Sequence, residues 1–333
     1  MSRELLEKHG IDLPFLPLTT VGSFAKPPEL KEARRKHREG EITKAELDEE
    51  AREATRFWIN QQEMMGYDVL VDGEQYRGDM ATYFAENLDG FEIGGLVRSY
   101  GNRYYRKPIV IDEIIWNEPI TADWWKFTRD LTDKPVKGML TGPYTMMDWT
   151  FNEYYDSRAD TARAFADAIR LEVQALIDAG CKIIQIDEPA CSVRTDEMDL
   201  VVEVVDRVVK DMDAYFLTHI CYGKFDEIYP KMLDIPVHNF DLEFSNSELY
   251  LLDLFEEIPF TKDLSFGAVD VHDHRIENPG IVKQRIEKAL SVIPDEKLWV
   301  SPDCGLKTRT VDESIGKMEV ISTAVQELRA ARS

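Results

Sequence analysis

Short apolar, β-branched runs recur along the chain, and each closes on a small, polar or titratable residue. They lie at 18–24, 68–73, 136–142, 182–187, 215–221, 237–244, 264–271 and 298–302. Most are followed by a stretch in which apolar residues return every three or four positions. In 157–180, Phe165, Ile169, Val173, Leu176 and Ile177 fall on one face, and in 311–331 Ile315, Met318, Ile321, Val325 and Leu328 do the same. Eight strands alternating with helices predict an α/β protein folded as a closed (β/α)8 TIM barrel. In such a barrel the working residues gather where strands end and loops begin. The runs end in Gly22-Ser23, Gly73-Glu74, Thr141-Gly142-Pro143, Asp187-Glu188-Pro189, His219-Ile220-Cys221, Glu243, Asp270-Val271-His272 and Asp303-Cys304, so all eight bring candidate chemistry to one rim.

The domain expectation is one catalytic barrel over 1–333, with 1–17 as an N-terminal extension holding a short helix and an extended Pro14/Pro17 segment. Roughly 60 residues separate the second and third strands, more than a barrel loop needs. The segment 75–131 is therefore expected to be an insertion covering the site. Within it, Gly101-Asn102 between aromatic flanks predicts a β-hairpin, in the most basic stretch of the chain.

Composition narrows the function. Hydrophobic residues make up 44% of the chain, ample for a core without disulfides. Forty Lys and Arg stand against 63 Asp and Glu, a formal charge of −23, which repels phosphate backbones and anionic lipid surfaces. No nucleic-acid or membrane partner is expected. The charged N-terminus lacks an apolar signal core, and four scattered cysteines suit a reducing compartment, so a cytoplasmic location is expected.

His219, Cys221, Glu243 and Cys304 form a chemically complete ligand set for one Zn2+ ion. They come from three remote strand ends rather than a local Cys-x2-Cys knuckle, which points to a catalytic rather than a structural site. Two thiolate ligands leave zinc a weak Lewis acid, poor at activating water but suited to keeping a third thiol deprotonated and electron-rich. The predicted chemistry is S-alkylation.

Six segments carry a family resemblance: 20–24 (TVGSF), 68–74 (DVLVDGE), 136–143 (VKGMLTGP), 184–189 (IQIDEP), 219–221 (HIC) and 302–309 (PDCGLKTR). In this order they resemble the catalytic half of cobalamin-independent methionine synthase, over about 18–329. The resemblance implies the same four zinc ligands. It implies homocysteine resting on Val21, Gly22 and Ser23, with Glu74 and Asp187 holding its ammonium group. It implies His272 as the proton donor to the leaving nitrogen, for which Asp270 is expected to orient the ring, and contacts to the methyl donor from Arg103, Tyr104 and Trp149. His274 is expected to face solvent.

The sequence departs from the family's pattern in lacking the second barrel that grips a folate polyglutamate tail, in Val193 where the family has Glu, and in Tyr104 where it has Cys. On that basis a methylcobalamin or methylated corrinoid-protein donor is expected ahead of 5-methyltetrahydrofolate, although a departing corrinoid needs no proton from His272. Two readings of other classes remain: a zinc hydrolase or decarboxylase on a related barrel, and a non-catalytic corrinoid- or zinc-binding partner.

Overall fold

The computed structural model describes residues 2–98, 104–223 and 225–332. Its strands, in chain order, are β1 (Asp89–Arg98), β2 (Tyr104–Ile115), β3 (Lys137–Thr141), β4 (Phe151–Asn152), β5 (Ile183–Asp187), β6 (Tyr215–Ile220), β7 (Asn239–Leu242), β8 (Asp263–Gly267) and β9 (Leu298–Ser301). Six of them pair side by side and in parallel, in the order β3-β5-β6-β7-β8-β9. Every residue of these six is buried. Helices cover their outer faces, so the strands read in the sequence as apolar runs rather than as alternation.

The first two expected strands close the barrel without becoming regular strands. Leu18 bridges Val300 on β9, and Leu70 bridges Val136 beside β3. The seam between the two is made by the amides of Asp68 and Val69, which donate to the Leu18 carbonyl at 3.0 and 3.1 Å. Pairing stops there for local reasons. Pro17 has no N–H to give, and Gly22, Gly73 and Glu74 take φ values of 155°, 74° and 54°, which turn the chain off an extended path. Those turns present both segments to the rim.

The expected helices form. Ser157 caps the helix Arg158–Asp178 by accepting a hydrogen bond from the Asp160 amide, and Val311–Arg332 is helical throughout. The helix Lys44–Met64 begins with a reciprocal capping box between Thr43 and Glu46. One apolar core runs from Leu16 to Leu328 and takes in Phe84, Val110 and Trp125 of the insertion. No helix among the described residues is long and apolar enough to cross a membrane.

The insertion does contain an antiparallel hairpin, β1 with β2, longer than the sequence suggested, and its turn lies outside the described residues. Short β4 extends it into a three-stranded sheet, order β1-β2-β4. Thr141 of β3 donates to the Met80 carbonyl at 2.7 Å, fixing the start of the insertion against the barrel rim.

Candidate active site

A chamber opens at the rim where the strands end. It is lined by Val21, Ser23, Glu74, Met80, Trp149, Asp187, Pro189, His219, Cys221, Tyr222, Cys304, Gly305 and Lys307. At its base, His219, Cys221 and Cys304 are buried, and one potential ligand atom of each lies within 4.8 Å of the others. The two sulfurs are 3.9 Å apart. Strand register explains this gathering, since His219 on β6 stands opposite Asp241 on β7. The ring's Nδ1 meets the Asp241 carboxylate and carbonyl, each at 3.1 Å. Burial works to lower the imidazole's pKa, but Asp241 and the Cys304 sulfur outweigh it and raise it well above the ordinary value. Its Nε2 is buried and makes no hydrogen bond of acceptable geometry. A carboxylate behind one ring nitrogen and an open second nitrogen is how metal-bound histidines are held.

Glu243 stands beside this trio rather than within it. Its Oε1 accepts the Tyr222 amide at 2.7 Å, while its Oε2 is buried with no partner. Burial, with the Cys304 sulfur adding to it, pushes the carboxyl up to about 7. Asp303 shapes the same loop: its buried carboxylate accepts the amides of Phe244, Ser245 and Asn246 at 3.0, 3.0 and 2.8 Å. Two buried thiols gathered beside an imidazole nitrogen and a carboxylate oxygen that lack hydrogen-bond partners fit a soft divalent metal better than they fit an apolar core.

The chamber also carries two carboxyl groups, Asp187 at the end of β5 and Glu74, and they are tightly backed. Asp187 is pushed up to about 7, mainly by burial, and the Gln185 amide donates to it at 2.8 Å. The same Gln185 nitrogen holds the Val21 carbonyl at 2.7 Å, and the buried Lys137 ammonium bonds both Gln185 Oε1 and the Thr20 carbonyl, at 2.6 and 2.7 Å. One buried network therefore sets Asp187 and the Val21 backbone together. Glu74 faces the Arg77 guanidinium at 3.4 Å. Glycine suits position 22 because its φ of 155° is one that L side chains rarely adopt, and a Cβ there would also displace the flexible end of Met139, 2.5 Å away. Gly305 is required: a Cβ there would meet Ser23 Oγ at 2.1 Å, and the neighbouring Leu306 amide donates to the Ser23 carbonyl at 2.7 Å.

Residues 16–327 match the family of cobalamin-independent synthase catalytic domains. The chain belongs to that family. It is 36% identical over 338 residues to the 5-methyltetrahydropteroyltriglutamate–homocysteine methyltransferase of Actinobacillus pleuropneumoniae and 38% identical over 341 residues to that of Salinibacter ruber, each alignment covering 98% of this chain and 44% of the relative. The chain thus spans less than half the length of these curated relatives. Among solved structures, a B12-independent methionine synthase from Shewanella, in complex with selenomethionine, superposes with a TM-score of 0.86 at 28% identity, covering 96% of this chain and 99% of that one.

Not every residue expected from the family pattern sits in the chamber. Trp149 lines it, and Tyr105 backs Trp149 by donating its hydroxyl to the Trp149 carbonyl at 3.0 Å. Tyr104, by contrast, is 62% exposed and does not line the chamber. Adjacent residues of a strand point to opposite faces, and here Tyr105 is the buried one. Arg103 lies outside the described residues. His272 packs its ring at a tilt of 48° against that of Tyr222, centroids 4.9 Å apart, and does not line the chamber itself.

Asp270 does not orient the His272 ring. Its carboxylate accepts the His272 backbone amide at 2.7 Å, a two-residue turn, and the ring's Nδ1 meets the Tyr222 hydroxyl at 3.2 Å instead. His274 faces solvent as expected, with its side chain 72% exposed beside Glu313. Sequence reasoning missed Met80, Tyr222, Gly305 and Lys307 as chamber residues. Gly305 and Lys307 stand in the quoted 302–309 motif and Tyr222 directly follows Cys221, so proximity to the expected ligands was the available signal.

Proposed function

We propose that the chain is a zinc-dependent methyltransferase that moves a methyl group to the thiol of homocysteine, giving methionine, with a methyltetrahydropteroyl compound as donor. The observation that carries this reading is the buried His219, Cys221 and Cys304 trio in a chamber that Asp187 and Glu74 also line. A thiol at the trio and an ammonium at the carboxylates describe the two ends of homocysteine. The similar Shewanella structure holds selenomethionine, the selenium counterpart of the product.

His219, Cys221 and Cys304 would hold the zinc, with the open Glu243 oxygen available as the fourth donor. Bound there, zinc keeps a substrate thiol in its nucleophilic thiolate form at neutral pH. The chain's own groups do the rest. Glu74 and Asp187 take the ammonium, the Val21–Ser23 backbone supports the rest of the amino acid, and Trp149 offers an aromatic face for a flat donor ring. As the sulfur–carbon bond forms and the carbon–nitrogen bond breaks, the released electron pair stays on the donor nitrogen, which takes a proton from His272. Holding acceptor and donor in line supplies much of the rate.

The expectation of a corrinoid donor is set aside. The curated relatives are named for a pteroyltriglutamate donor, and the family is cobalamin-independent. A pteridine nitrogen leaving as an anion also uses His272, which a departing corrinoid would not. A hydrolase reading suffers from two sulfur ligands, which weaken the metal's hold on water.

The test is methionine formation from homocysteine and 5-methyltetrahydropteroyltriglutamate by the zinc-loaded protein and by Cys304→Ser. The wild type should turn over, and the variant should lose zinc and more than roughly 100-fold in rate. A wild type inactive with the pteroyl donor, or a variant that keeps metal and activity, would overturn the proposal.

A further inference from the structure

Tyr222 carries a combination of features that packing alone does not account for. It is an aromatic residue at φ 57°, a left-handed conformation that non-glycine residues seldom adopt unless the surroundings impose it. Two contacts impose it here. Its amide donates to Oε1 of Glu243 at 2.7 Å, and its hydroxyl meets Nδ1 of His272 at 3.2 Å across rings tilted by 48°. Its neighbour Cys221 belongs to the metal-binding trio, and Tyr222 itself lines the chamber. The residue thus touches both halves of the site, the sulfur end through its backbone and the proton donor through its side chain.

We propose that Tyr222 is a positioning residue that ties the His272 ring to the metal-ligand cluster and holds Nδ1 so that the transferable proton sits on Nε2. This rests on the proposed role of His272 as the acid. A phenol suits the task. It accepts from Nδ1–H of the imidazolium and goes on accepting from that Nδ1–H once Nε2 has given up its proton, so it holds the ring through a full cycle of proton loss and gain. A carboxylate in its place would favour a permanently charged ring, and Asp270, the one nearby candidate from sequence, is committed to the backbone. The left-handed turn at Tyr222 is what lets a residue adjacent to Cys221 reach sideways to the loop after β8.

The test is Tyr222→Phe, which keeps the ring and the backbone link and removes only the hydroxyl. Zinc content should match the wild type and the KM for homocysteine should stay within about twofold. The kcat with the pteroyl donor should fall roughly 10- to 100-fold, within the range that a positioned acid contributes. Independently of turnover, 15N spectra of the His272 imidazole at a pH where it is neutral should show the Nδ1–H tautomer in the wild type and a mixture of tautomers in the variant. An unchanged kcat and an unchanged tautomer would overturn the inference, as would a loss of rate that appears only with a loss of zinc. If the wild type fails to turn over the pteroyl donor at all, the proposed function falls, and the tautomer comparison alone decides the role of Tyr222.

Discussion

Asp187 shows how one residue's surroundings set its chemistry. Burial lifts its carboxyl to about 7, while the charge of His219, the Gln185 amide and, less strongly, Lys137 favour the charged form. An ammonium group binds the carboxylate rather than the neutral acid, so the site is half-prepared near neutrality. The KM for homocysteine should therefore fall as pH rises from about 6 to 8. In Asp187→Asn this dependence should flatten and KM should be higher throughout; a variant with the wild-type profile would assign the ionisation elsewhere. At this scale the sequence was informative wherever a residue type is chemically rare. Two cysteines and a histidine at strand ends have few other uses, and the structure brings them together. Asp270 misled because spacing of two residues cannot distinguish a side chain that reaches a ring from one that turns back to the backbone amide. Tyr104 misled for a similar reason, since its partner Tyr105 differs only in strand phase.

Among elements, the six central strands were legible to within one to four residues at their ends, because burial on both faces leaves continuous apolar runs. The segments at 18–24 and 68–73 carry the same kind of run and yet form single bridges. Proline and left-handed turns decided that, and they are what aim Val21, Ser23 and Glu74 into the chamber. The loop after β9 is the other element whose exact path matters. Gly305 lies so close to Ser23 Oγ that Gly305→Ala must push the two apart. The variant should lose about 1–3 kcal/mol of stability and raise the KM for homocysteine, with zinc content retained, as read by thermal melts and steady-state kinetics. An unaffected KM would detach this loop from acceptor binding. The hairpin of the insertion was visible in part, since its aromatic flanks marked the turn but β1 bears little alternation to mark its length.

At the scale of the whole molecule, the barrel's closure brings residues from 21 to 307 to one chamber. The net charge of −23 sits uneasily with a donor bearing several carboxylates. Charge summed over a surface says little about one chamber, and the relatives' shared pteroyl donor weighs more than either charge or chain length. The proposed reaction requires that the His219, Cys221 and Cys304 trio hold a metal that accepts a substrate sulfur. Zinc-edge X-ray absorption of the zinc-loaded protein, recorded before and after adding homocysteine, tests that directly. The account predicts two sulfur ligands beforehand, from Cys221 and Cys304, and three afterwards; a sulfur count that does not change would contradict it.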